Sequence, residues 1–514
     1  MRFLPVRCLA VLVAGTLAWA GAAHADADPS AIAALLQRGG TIELAGRTVA
    51  TAPLKRIYDA RDDRPIWTAE RRGDLAAALA EAPSHGLDPG AFVVPETDPS
   101  ATELLLTDAF VRYALALGRG VVVMADVDHD WAMAQPAIDP AAVLARALAH
   151  GIAATLAALP PQDAGYARLR QAYLRYRDFT RRAAWGPIAL KLPLKSGASG
   201  PDVIKLRHRL AAEGLVPPSD DPQFDAALSA TIGRFQATRG LPASGTVALA
   251  TLTALNIVPG ARLRTIRLNL ERRRAMPHGL PPTRIEVNVP GSSVMLYQDG
   301  QPTLTMRAVV GASEHQTPVL QTRMTAVTFN PPWIVPSSII VNEIRPALLK
   351  DSDYLARHDY TYADVPGGKQ LIQRPGPQNA LGKIKFEMPN RFDVYLHDTP
   401  RQDLMGRSRR ALSHGCIRLD NPRGLARLLL AADPAWTPDA INAAVAAGKT
   451  RTVPLPKPVP VYVLYETAYV DADGTVEFRN DIYDRDGRLN EALVTHDLRE
   501  QISPPRAAAV SGHE

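Results

Sequence analysis

At Pro281-Pro282 the hydrophobic period of this chain changes, and the change divides it into a helical part and a strand-rich part. Upstream, apolar residues recur at helical spacing. Asp74-Leu75-Ala76-Ala77-Ala78-Leu79 combines good helix formers with an acidic start, and the helix should stop by the Gly86 and Pro89 that follow. A second helix is expected to start by Asp108 and to include Phe110, Tyr113 and Leu117, with others around 139–158 and 161–178. Downstream, residues 284–289, 294–297 and 304–310 alternate like strands. Gln298-Asp299-Gly300-Gln301 turns the last two into a hairpin. Many short strands in sequence favour a β-rich sandwich or barrel. The expected fold class is therefore multidomain α+β, which the chain's 514 residues easily accommodate.

The first residues read as an export signal. Arg2 and Arg7 precede an apolar run from Cys8 to about Gly21, and Ala23-His24-Ala25 is a small-x-small cleavage site. The run is short for a membrane anchor, and later alanine-rich segments are broken by charges and proline, so no stable transmembrane anchor is expected. Loss of residues 1–25 lowers the formal charge from +6 to +4 by removing two arginines. That surplus is small, and with no Lys/Arg tract or aromatic-interleaved basic groove it argues against nucleic acid. It also removes Cys8, one of two cysteines, and leaves Cys416 as a lone thiol that cannot form an internal disulfide. A lone thiol in an oxidising compartment is a liability unless its reactivity is used.

Residues 26–56 are weakly patterned. In the helical part His85 fits a helix end, and Asp126, Asp128 and Asp130 fit a loop better than a metal site. Residues 192–257 form a compact unit: a turn at 194–200, a helix that Asp202 can cap, with Val203, Leu206, Leu210 and Leu215 as its stripe, a helix from Ala226 to Thr238, and a short one from Val247 to Leu255. Residues 262–274 carry six arginines around Leu263, Ile266 and Leu270, which reads as a linker helix with a solvated basic face. After the strands, a helix should start at Pro422 and another should cover 437–447. Residues 459–483 return to strand character around an Asp471-Ala472-Asp473-Gly474 turn.

The residues that carry chemistry are His397, at the end of a strand, Ser413-His414-Gly415-Cys416, and Arg418 two residues beyond the thiol. A thiol becomes a strong nucleophile when an imidazole takes its proton and leaves a thiolate–imidazolium pair. Attack on an amide then needs backbone N–H groups for the oxyanion, and Gly415 permits the tight geometry that aims them. Arg418 offers a fixed fork for a substrate carboxylate. Two histidines qualify as the base. His414 would point the same way as Cys416 along a strand, and His397 lies far enough upstream to return from an adjacent one. The plainer reading of Cys416 is a buried small hydrophobe, and a metal site lacks further thiolates.

The residues also resemble the L,D-transpeptidase family of the large, multidomain periplasmic type. The likeness rests on His397-Asp398-Thr399-Pro400, Arg410-Ala411-x-Ser413-His414-Gly415-Cys416-Ile417-Arg418-Leu419 and Asn421-Pro422. Val310-Gly311, Thr317-Pro318, Asn330-Pro331-Pro332-Trp333 and Asn379-Ala380-Leu381-Gly382 extend it, as do Pro65-Ile66-Trp67 and Asp481-Ile482-Tyr483. Residues 192–257 resemble a peptidoglycan-binding domain, except that Ala198 stands where that family usually has an acid. The resemblance implies a mostly-β, sandwich-like catalytic domain with a lid insertion, a helical scaffold and a three-helix wall-binding module. The implied division is signal peptide 1–25, N-terminal segment 26–64, scaffold 65–190, binding module 192–257, basic linker 258–282, catalytic domain 283–435 with a lid at about 342–374, bracing segment 436–500 and disordered tail 501–514.

The resemblance further implies Cys416 as nucleophile, His397 as base and later acid, and His414 and Gly415 shaping the oxyanion environment. It implies that Arg418, Ser413, Asn379, Trp333 and Tyr354 serve the substrate cleft. The implied reaction is a 3→3 cross-link between diaminopimelate residues of peptidoglycan tetrapeptide stems in the periplasm, with release of D-alanine, without metal or cofactor, and blocked by carbapenems. Penicillin-binding synthases or other wall-associated proteins are the implied partners. An L,D-carboxypeptidase, or a non-catalytic wall-binding scaffold, is the alternative.

Overall fold

The computed structural model describes residues 27–95, 97–365 and 368–501. The expected signal peptide, and all of the expected tail beyond Gln501, lie outside these residues. Among the described residues no helix is long and apolar enough to cross a membrane. The described residues divide into two compact units: one holds those up to Arg119, Ala137–Pro160 and those from Thr495 on, the other Gly120–Pro136 with Pro161–Val494.

The first unit is built on the helix Pro99–Arg119, which starts well before Asp108. Asp98 accepts the Ala101 N–H at 2.9 Å and so caps it. The helix is buried on nearly every side, so a one-faced apolar stripe was never required of it. Its Glu103 is fully buried and accepts from the Ile66 N–H, the Trp67 N–H and the Tyr58 hydroxyl, which fixes the Pro65-Ile66-Trp67 segment. The weakly patterned start folds as a helix, Pro29–Leu36, and a hairpin of four-residue strands, Thr41–Leu44 and Arg47–Ala50.

The second unit contains eight strands that close on themselves: β1 (Arg284–Asn288), β2 (Ser293–Gln298), β3 (Gln301–Gly311), β4 (Val319–Phe329), β5 (Ile384–Glu387), β6 (Leu396–His397), β7 (Ile417–Leu419) and β8 (Arg451–Leu464). The order is β5-β6-β7-β3-β2-β1-β8-β4, and the β4–β5 pairing completes the ring. β6–β7 and β1–β8 are parallel and the other pairs antiparallel. The domain is a mixed barrel, not a sandwich. The expected hairpin forms β2 and β3. A register break between Pro454 and Val459 bends β8 along β4, while the other edge of β4 stays open for β5. The barrel therefore extends beyond 435, because β8 lies between β1 and β4. Val287, Val294, Val310, Phe329, Leu396 and Ile417 are fully buried in its core.

The helix Pro259–Ala275 corrects the linker reading. Arg262, Arg272 and Arg274 are buried, not solvated. Distant acids make this possible: Arg272 pairs with Asp486 at 2.6 Å, and Arg273 with Glu466. Arg274 pairs with Glu271 at 2.7 Å, and Arg262 lies over the Phe478 ring at 4.4 Å. In the binding module the helices are Pro201–Ala212, Ala226–Thr238 and Leu249–Leu255 around Val203, Leu206, Phe224, Ile232 and Phe235. Asp202 sits in the first turn and accepts from the Lys191 N–H at 2.7 Å, so it is not the cap, and Leu215 is exposed.

The insertion between β4 and β5 begins before 342. Its sheet pairs Trp333–Ile334 and Tyr360–Val365 with Gly368–Gln373. Val335, Ile339, Ile344 and Leu371 give it a small core of its own.

Candidate active site

β6 and β7 run parallel with Leu396 beside Ile417 and His397 beside Arg418. The Ile417 N–H donates to the Tyr395 carbonyl at 3.0 Å, so the ladder reaches back to Tyr395 and Cys416. Side chains alternate along a strand, so Tyr395 and His397 share one face with Cys416 and Arg418. On the other side of β6, Lys385 of β5 is the register partner of His397. The imidazole thus sits in a row between two cations.

That row sets the electrostatics. His397 is buried, and its Nδ1 has no hydrogen-bond partner. Burial first and then Arg418 push its pKa down to about 3, with the backbone of Asp398 and Leu381 opposing. Burial likewise pushes the Cys416 thiol up, while Tyr395, Lys385 and Arg418 pull it back. Burial therefore favours the neutral forms of both the thiol and the imidazole. Burial weakens the Arg418 cation, and its Nε is buried without a partner.

The loop before β7 is held from both sides. Residues 414–416 form a bend and Gly415 has φ +107°, so His414 and Cys416 do not alternate along a strand as the sequence reading assumed. Ser413 is buried; its Oγ accepts the Gly415 N–H at 3.2 Å and donates to the Cys416 carbonyl at 2.6 Å. Thr317 Oγ1 donates to the Gly415 carbonyl at 2.8 Å. The His414 ring leaves the ladder: it pairs with Glu343 of the insertion at 2.8 Å and stacks on His315 at 4.6 Å.

The other expected site residues lie at the base or inside of the insertion. Asn379 is buried, and its amide donates to the carbonyls of Pro331, Gln373 and Arg374, which ties the two ends of the insertion together. Trp333 lies close enough to the Tyr395 hydroxyl to lower its proton affinity, against the burial that raises it. Tyr354 stacks on His358 at 4.2 Å within the insertion. Three neighbours had no role in the sequence reading. Tyr395 touches the thiol, packs edge-on to His397 at 5.7 Å and lies under Lys385 at 4.4 Å. Its position two residues before His397 was a usable signal, because it must share that face. Thr317 entered the sequence reading only through the Thr317-Pro318 likeness, and Glu343 had no signal, since only the fold brings them to the loop. Among the described residues no group of three ligating side chains could hold a metal ion.

Comparison with known proteins gives the same three regions a family context. Residues 282–449 match the family described as "L,D-transpeptidase catalytic domain", 52–172 match "Scaffold domain" and 199–255 match "Putative peptidoglycan binding domain". A protein of Haemophilus influenzae named "Putative L,D-transpeptidase" is 32% identical over 251 residues, 45% of this chain. The chain spans about half the length of that relative (50%). Among solved structures, an L,D-transpeptidase fragment from Xylanimonas cellulosilytica is 15% identical, covers 54% of this chain and all of its own (100%), at a TM-score of 0.20. One from Stackebrandtia nassauensis is 13% identical over 53% of this chain and 97% of its own, at 0.22. Residues 282–449, with the thiol, imidazole and guanidinium on one barrel face, thus match an L,D-transpeptidase catalytic domain, and the same chain carries regions similar to a scaffold domain and a peptidoglycan-binding domain.

Proposed function

We propose that this chain is a peptidoglycan L,D-transpeptidase that forms 3→3 cross-links through a thioester on Cys416. The observation that carries the reading is the row Lys385–His397–Arg418 with the thiol one step away on the same face. Among the described residues no acid pairs with Arg418, and its buried Nε lacks a partner, which suits the carboxylate of a donor stem. His397 Nδ1, also unpartnered, is free to receive the thiol proton.

In the first half, Sγ bonds to the carbonyl carbon of the L-centre of diaminopimelate while His397 takes the thiol proton. The Cys416 N–H faces the oxyanion. Collapse breaks the C–N bond, and D-alanine leaves with the proton from His397. In the second half, the side-chain amine of another stem attacks the thioester and gives its proton to His397. The C–S bond breaks, and Sγ recovers the proton. The insertion acts as a lid that keeps water from the thioester. The 192–257 module binds the wall, and the site of action is the periplasm.

Incubation with sacculi rich in tetrapeptide stems, followed by muropeptide analysis, tests this. New 3→3 dimers that vanish with Cys416→Ala are expected. Tripeptides without dimers would instead mean a carboxypeptidase, and wall binding without any product would mean a scaffold. Intact mass should also show a carbapenem adduct on the wild-type chain and none on Cys416→Ala.

A further inference from the structure

The catalytic loop is anchored by a part of the chain that contributes no group to the ladder. Tyr483 is buried; its hydroxyl donates to the Gly311 carbonyl at 2.6 Å and accepts the Thr317 N–H at 3.2 Å. Thr317 is fully buried, and its Oγ1 accepts the Gly311 N–H at 2.9 Å and donates to the Gly415 carbonyl at 2.8 Å. Arg485, also buried, holds the same segment from behind. It donates to Gln316 Oε1 at 3.0 Å and pairs with Asp128 and Asp130 at 3.1 Å each. Gly311 has no room for a side chain, because a Cβ would lie 2.1 Å from the His315 carbonyl. The hydroxyls of Thr317 and Tyr483 are therefore locked in a closed set of bonds.

The consequence lies in the Gly415–Cys416 peptide. In a trans peptide the C=O and the following N–H point in opposite directions. The one cis bond among the described residues is Leu192–Pro193, so this peptide is trans. With the Gly415 carbonyl drawn onto Thr317, the Cys416 N–H must point to the opposite side. Ser413 fixes the two flanking groups, the Gly415 N–H and the Cys416 carbonyl. We propose that Thr317 and Tyr483 are positioning residues that aim the Cys416 N–H at the oxyanion, through the Gly415 carbonyl. The proposal rests on the acyl-transfer reading of the site. It gives the segment after the barrel a role in the rate of reaction rather than in folding alone.

Acylation needs an oxyanion donor, whereas alkylation of the thiol by iodoacetamide passes through no oxyanion. The two rates on the full chain therefore separate aim from nucleophile. Thr317→Val, which keeps the shape and removes the hydroxyl, should slow carbapenem acylation about 10- to 100-fold, somewhat less than loss of a whole oxyanion donor. It should leave alkylation within about twofold, because the thiol's own neighbours are untouched. Thr317→Ser should restore acylation. Tyr483→Phe should show the same split more weakly, and it carries the test if Thr317→Val does not fold. Equal acylation in wild type and both variants overturns the inference alone. A parallel fall of acylation and alkylation overturns it too, since that marks a collapsed loop. A wild-type chain that alkylates but never acylates overturns the acyl-transfer reading and this inference with it.

Discussion

Replacing His397 by glutamine should make the barrel less sensitive to acid. The imidazole is buried between Lys385 and Arg418, and its pKa falls from 6.5 to about 3. Its folded-state value is depressed, so between those values the unfolded chain binds a proton that the folded one refuses. Stability from this group is complete above about pH 6.5 and is lost as pH falls toward about 3. At about 1.4 kcal/mol per unit, the loss between about pH 7 and about pH 4.5 is about 2 to 3 kcal/mol. His397→Gln lacks the titrating group and should lose that much less than wild type over the same interval. All other groups titrate in both proteins, so the difference isolates His397. Hydrogen exchange of the β6 and β7 amides at the two pH values reads the barrel itself. Equal losses in the two proteins would refute the placement of a neutral imidazole between the cations. Arg418→Gln gives a second arm: with one cation gone, the acid sensitivity should shrink but persist, because burial is the larger cause.

Tyr395→Phe removes a hydroxyl that, after the Tyr395 backbone, offsets the burial that raises the pKa of Cys416. A hydrogen bond to a charged group contributes about 1.5 to 3 kcal/mol, and the higher nucleophilicity of the more basic thiolate offsets part of its loss. Alkylation near neutral pH should slow about three- to tenfold, and an unchanged rate would remove Tyr395 from the thiol's environment. Glu343→Gln breaks the exposed pair between the insertion and His414. Such pairs contribute less than about 1 kcal/mol, so exchange of the insertion's amides should rise less than about fivefold. A far larger rise would mean that Glu343 anchors the insertion rather than merely touching the loop.

The sequence revealed the parts of the site that are local and hid the parts that are not. Cys416, Gly415 and Arg418 lie within three residues of one another, and His397 ends a strand that alternation makes visible. Their chemistry follows from residue type and spacing. The barrel does not, because its closure depends on β8, whose Pro454, Pro456, Pro458 and Pro460 argue against a strand. Pro456 and Pro458 fall where the register with β4 breaks, while Pro454 and Pro460 flank the break opposite Ala326 and Arg323. The arginines of 259–275 misled for a related reason. Six cations on one segment imply solvent until Glu466, Asp486 and the Phe478 ring arrive from about 200 residues away. Tyr483 and Arg485 illustrate the same limit at the site itself: Tyr483 entered only through a family likeness, and nothing in their local pattern points to the 311–317 segment about 170 residues earlier.

The two cations beside His397 also bear on how a lone thiol stays usable. A permanent thiolate–imidazolium pair would be reactive at all times, and the row of Lys385, His397 and Arg418 disfavours it by penalising the imidazolium. Arg418 is the second cause of that penalty after burial. A donor carboxylate seated on the guanidinium would cancel much of its charge and raise the proton affinity of the imidazole in the same step. The thiol proton would then have a better acceptor only when a carboxylate-bearing donor is in place. On this reasoning the Arg418 charge penalises the imidazolium until a carboxylate covers it, while burial, against the pull of Arg418, keeps the Cys416 thiol protonated and slow to oxidise.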